Sequence, residues 1–174
     1  MYLYRPQAVS GTVARAFCPP VHDVILFEAH EINVGVRVSS YAKDEIRIVI
    51  EFVIPDNHVV EIIDRTVEIY SSASNRSQGT LSGIKWVSLS RTEEITLDKP
   101  LQGRTEKKLF LFRQTTLSGK TNHAYYLLKV NMEKLDEDEF YLELPRFTVN
   151  GVASNLPVIK YVKDKEFVVV GINC

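Results

Sequence analysis

The sequence predicts an all-β protein, an antiparallel two-sheet β-sandwich formed by a single domain over residues 1–174. Three observations carry that prediction. First, Ile46, Ile48, Ile50, Phe52 and Ile54 alternate with Arg47, Val49, Glu51 and Val53, the period-two pattern of a long strand with one fully apolar face. Second, Asn150-Gly151 follows the alternating segment Phe147–Val149. Both residues tolerate the positive φ that a two-residue hairpin turn requires. Third, no window carries an apolar stripe at helical spacing over three turns. The nearest, Asn131–Phe140, is short and charged.

Taken in order, Val9–Phe17 is a weak strand candidate, and Val24–Ala29 is a clearer one after the stop at Pro19-Pro20. Ile32, Val34, Val36 and Val38 alternate with Asn33, Gly35, Arg37 and Ser39, and the short polar link Tyr41–Glu45 predicts a hairpin with the strand that follows. Pro55-Asp56-Asn57 is a turn cluster. Val59–Tyr70 breaks period at Asp64-Arg65, which predicts a bulge or two shorter strands. Ser71–Gly83 is small and polar and is expected to be a mobile loop. Further strands are expected at Ile84–Leu89, Glu94–Leu97, Leu109–Gln114, Ala124–Met132, Phe140–Leu144 and Phe167–Ile172, with polar connections over Asp98–Lys108 and Thr115–His123. Leu144-Pro145 and Leu156-Pro157 bracket the Asn150-Gly151 hairpin. Proline donates nothing to a ladder, so each pair marks a boundary, bulge or edge.

The bulk chemistry excludes several classes. With 21 basic and 22 acidic residues the chain has no global attraction for nucleic acid or anionic membrane. No run approaches the ~18 apolar residues of a membrane span. The N-terminal residues show no basic-then-apolar leader, so the expectation is a cytoplasmic protein or a leader-stripped protein of the periplasm or cell envelope. Cys18 and Cys174 make no disulfide framework; they are two free thiols, or a single bond joining distant segments.

Each candidate motif has a plainer reading. Gly119-Lys120-Thr121 ends like a phosphate loop, but Gln114 stands where that loop needs glycine, and a strand rather than a helix follows. In Gly79-Thr80-Leu81-Ser82-Gly83 the serine is one place too late for a nucleophile elbow. Cys18, His22, His30, His58 and His123 lack paired zinc spacing. Asp136–Glu139 lacks the glycine and spacing of a calcium loop. Asn75-Arg76-Ser77 fits a glycosylation sequon. No catalytic residue, cofactor site or metal site is predicted. The candidate binding surface is Trp86, Tyr125 and Tyr141, the two tyrosines because they lie opposite the main apolar set of their strands.

The passage Leu144–Tyr161 (LPRFTVNGVASNLPVIKY), with a touch of His22–Val38, resembles uncharacterised bacterial immunoglobulin-like β domains. The resemblance implies a bacterial source and a sandwich and carries no catalytic residue; the chain's length, beyond the ~100 residues of a simple immunoglobulin-type domain, separately predicts extra strands or long loops. The leading expectation is a non-catalytic module that binds a protein partner, self-association through a strand edge included. A carbohydrate-binding module using Trp86 and tyrosines is the alternative. A hydrolase or lyase whose acidic residues meet only in the fold is the third.

Overall fold

The computed structural model describes residues 2–7, 10–14, 23–81, 83–87, 92–103 and 123–165. Among these residues every regular element is a strand. The chain opens with β1 (Tyr2–Gln7), a strand its weak periodicity does not announce, and β2 (Thr12–Ala14), inside the weak candidate at Val9–Phe17. β3 (Val24–Ala29) and β4 (Ile32–Ala42) form a hairpin through His30-Glu31, with φ of 48° and 67°. β4 and β5 (Glu45–Pro55) form the predicted hairpin, with an irregularity between Ser40 and Ala42. At Pro55-Asp56-Asn57 the chain turns, His58 N–H donating to Pro55 O at 3.2 Å and Asn57 taking φ 67°.

The period break at Asp64-Arg65 separates two strands, β6 (Val59–Ile62) and β7 (Thr66–Tyr70), that belong to different sheets. Within the segment expected to be a loop lies β8 (Arg76–Thr80), paired antiparallel with β7. This corrects the loop reading of Ser71–Gly83. Ladder hydrogen bonds come from the backbone, so an edge strand needs no apolar run, and its polarity hid it. β9 (Ile84–Val87), β10 (Thr92–Ile95) and the short β11 (Leu101–Gln102) follow. Then come β12 (His123–Glu133), β13 (Glu139–Glu143), β14 (Phe147–Val149), β15 (Val152–Ser154) and β16 (Ile159–Lys165). β14 and β15 join through Asn150-Gly151 with φ of 51° and 80°, as the dipeptide predicts. The strands expected at Leu109–Gln114 and Phe167–Ile172, the connection around Gly119-Lys120-Thr121, and Cys18, His22 and Cys174 lie outside the described residues.

Pairing divides the strands into three antiparallel sheets rather than the two expected, in the orders β1-β16-β13-β7-β8, β10-β9-β12-β5-β4-β3-β2 and β11-β6-β14-β15; alternation marks strands but does not encode which of them pair. Among the described residues the chain passes directly between the five- and four-stranded sheets three times. It does so at Asp64-Arg65, at Leu144-Pro145 and at Leu156-Pro157, each a place where the sequence breaks alternation. One apolar cluster joins the sheets. Phe52 of β5 meets Phe147 of β14 edge to face at 5.2 Å, and the Tyr126 hydroxyl of β12 donates to Gln102 O of β11 at 2.7 Å. Gly79 lets β8 approach β12, because a Cβ there would stand 2.7 Å from both Val130 Cγ2 and Met132 Cγ.

Candidate functional site

Alternation assigns the inner and outer faces. On the five-stranded sheet Val67, Ile69, Phe140, Leu142, Ile159 and Tyr161 point into the core. The intervening positions point out. Strand register then sets Arg76, Tyr70, Tyr141 and Lys160 side by side across four strands. The Tyr70 and Tyr141 rings stack with centroids 5.6 Å apart and planes 23° from parallel. The Arg76 guanidinium lies over Tyr70, 5.1 Å from its centroid, and is anchored by Glu68 Oε1 at 2.9 Å. Lys160 Nζ is held by Glu139 Oε2 at 2.7 Å, and that hydrogen bond raises its amine above the ordinary lysine value. The result is a flat ridge with an aromatic centre and a charge pair at either side.

Of the three residues proposed for a surface, Tyr141 is 38% exposed. Trp86 is 2% and Tyr125 5% exposed, which corrects the expectation that their rings face solvent. Trp86 shares the inner face of β9 with Ile84 and lies beside Tyr126 of β12. Tyr125 does point away from the main core, but that outer face is itself covered: Val53 opposite it and Glu51 are buried, as are Val49 and Val24 further across the same face. Val49 and Val53, apolar at outward positions of β5, were the signal for this second buried face. Tyr70 and Arg76, the other half of the ridge, were not proposed from sequence. Their alternation was visible, but the pairing of β7 with β13 spans about seventy residues of chain and no local pattern specifies it.

At the middle of the covered face lies a buried ion pair. Glu51 is fully buried, and Arg37 Nη2 of the neighbouring strand stands 2.6 Å from its Oε1. Among the described residues neither Glu51 oxygen accepts a hydrogen bond of good geometry, so this contact is what balances the charge. Burial pushes the Tyr125 hydroxyl upward; the Glu51 charge adds to that shift and Arg37 opposes it.

The remaining candidates resolve into structure. Asp138 pairs with Lys163 at 3.1 Å, and Glu137 accepts from Asn75 Nδ2 at 3.3 Å, so the acidic run Asp136–Glu139 meets cations and an amide. Gly79 and Thr80 belong to β8, and Leu81 is buried, which removes the strand-to-helix turn an elbow needs. His58 Nε2 lies 3.4 Å from Glu31 Oε2 of the β3–β4 turn. Among the described residues no three His, Cys, Asp or Glu side chains are grouped to hold a metal. No helix of the described residues is long and apolar enough to cross a membrane. Comparison of the chain with protein-family models, with curated proteins and with solved structures gives no match.

Proposed function

We propose that the protein is a non-catalytic binding module whose ligand is another protein, contacted through the Arg76–Tyr70–Tyr141–Lys160 ridge. The observation that carries the reading is the stacked tyrosine pair, Tyr141 exposed and Tyr70 half-buried, with its anchored arginine. Tyrosine and arginine are the side chains that protein interfaces favour, and rings and guanidinium already held in place lose little entropy on binding. The flanking charges are paired within the sheet, so the ridge offers hydroxyls and ring edges rather than net charge. Sugar stacking needs a bare ring face. Here Tyr70 lies between Arg76 and Tyr141, which favours a polypeptide over a glycan. An elaborated immunoglobulin-like sandwich and a bacterial source, both implied by the resemblance of Leu144–Tyr161, belong to the same proposal.

The test is paired affinity capture from the source cell with the wild type and Tyr70→Ala/Tyr141→Ala. A protein bound by the wild type and weakened at least about 10-fold by the double substitution supports the reading. Equal capture by both proteins counts against it. A glycan that binds the wild type and is lost with Tyr141 would replace the protein partner by a carbohydrate.

A further inference from the structure

On the other sheet, the cleft between the β9–β10 hairpin and β12 holds a charge that the folded chain leaves uncompensated. Register puts Glu94, Lys85, Leu127 and Glu51 in one cross-strand row, and Lys129, Val49 and Arg37 in the next. The cleft measures about 340 Å³; Ile84, Ile95 and Leu127 supply apolar lining, and Lys85, Glu94, Thr96 and Lys129 supply polar groups. Both carboxylates of these rows are already engaged. Glu94 Oε1 lies 3.0 Å from Lys85 Nζ, and Glu51 is held by Arg37. Lys129 has no ion pair or hydrogen bond among the described residues. Partial burial, then the charges of Arg47, Lys85 and Arg37, hold its amine below the ordinary lysine value, with Glu51 opposing. The folded chain therefore disfavours a cation at Lys129, and an anion beside it relieves the repulsion. Gly83 borders the same space, and nothing stands within 4 Å of where its Cβ would be, so the cleft is open on that side.

We propose that this cleft binds a small organic anion, a carboxylate or phosphate monoester carried on an apolar body, with the anion on Lys129 and the body against Leu127. The volume and the mixed apolar and charged lining suit a compact ligand with one charged end. This site is on a different sheet from the tyrosine ridge and stands or falls without it.

The experiment is a titration of the full chain with hexanoate, phenyl phosphate and, as neutral comparator, hexan-1-ol, followed by amide chemical shifts. At least one anion is expected to saturate shifts at Lys85, Leu127 and Lys129 while the alcohol does not; which one does so distinguishes the two headgroups. Lys129→Gln, at an exposed position, is expected to weaken that anion at least about 10-fold. Gly83→Met fills the cleft without changing charge and is expected to weaken it as well. Lys43→Gln, in the β4–β5 turn, is expected to leave it unchanged. Equal binding by the wild type and Lys129→Gln, equal binding of alcohol and anion, or no saturation by either anion up to about 20 mM would overturn the proposal.

Discussion

Arg37 and Glu51 are the residues at which a single substitution should do most damage. Glu51 is fully buried and Arg37 balances it at 2.6 Å. Arg37→Met leaves that carboxylate buried and unpaired, and is expected to destabilise the fold by about 3–5 kcal/mol in urea denaturation. Adding Glu51→Leu removes the stranded charge and should recover most of the loss. If the double variant is as unstable as the single one, the pair is not what matters there. A second residue-scale effect is alkaline. Burial pushes Tyr4 from 10.0 to about 12, with the Asp138 charge adding to it. Burial also raises Tyr161, aided by Asp23, and Tyr125, aided by Glu51. Below pH 10 each is neutral in the folded and unfolded chains alike, and the stability is fully present. Above it the unfolded chain releases protons that the folded chain keeps, so stability falls with rising pH, for Tyr4 through about pH 12. The slope is about 1.4 kcal/mol per pH unit for each such tyrosine. Urea midpoints should be flat from about pH 8 to about pH 10 and drop steeply by about pH 11.

Two elements carry unusual local chemistry. The β3–β4 turn uses His30-Glu31 with both φ positive, a conformation that asparagine and glycine adopt with less strain. Replacing the pair by Asn-Gly is expected to stabilise the protein by about 1 kcal/mol, read as a raised thermal midpoint. A fall would show that the contact of Glu31 with His58 outweighs the strain. In β8, Gly79→Val would drive a side chain into Val130 and Met132 and should destabilise by about 1–3 kcal/mol, with exchange protection lost first across Arg76–Thr80. Most strands were legible from alternation: β3, β4, β5, β12 and the β14–β15 hairpin stand where the pattern puts them. β8 was not, because its hydrogen bonds come from Arg76-Ser77-Gln78-Gly79-Thr80, a run without an apolar face.

At the scale of the molecule, the N-terminal strand closes the five-stranded sheet by pairing with β16, Tyr2 opposite Lys165 through Gln7 opposite Lys160. Tyr4 completes an aromatic group there, meeting Phe140 edge to face at 5.3 Å, while Phe140 stacks on Tyr161 at 5.5 Å. Arg5 bridges Asp23 at 3.0 Å and Asp164 at 2.6 Å. Deleting residues 1–7 uncovers both the edge of β16 and that aromatic group. The expected result is a less stable protein that self-associates with concentration in light scattering, because an unpaired edge beside an apolar face recruits another strand. A truncated chain that stays monomeric and equally stable would count against this closure. Pairing of residues so far apart also places folding in the slow range of β proteins.

From sequence alone came the strand periodicity, the Asn150-Gly151 turn and the three alternation breaks at which the chain changes sheet, because each depends on neighbours a few residues apart. Only the tertiary structure decided that Tyr141 meets Tyr70, that Trp86 and Tyr125 are buried, and that Lys129 stands among cations beside an open cleft. Those outcomes depend on which strands become neighbours and on what covers the second face of a sheet. Long-range packing selects both, and the order of side chains along one strand does not encode them.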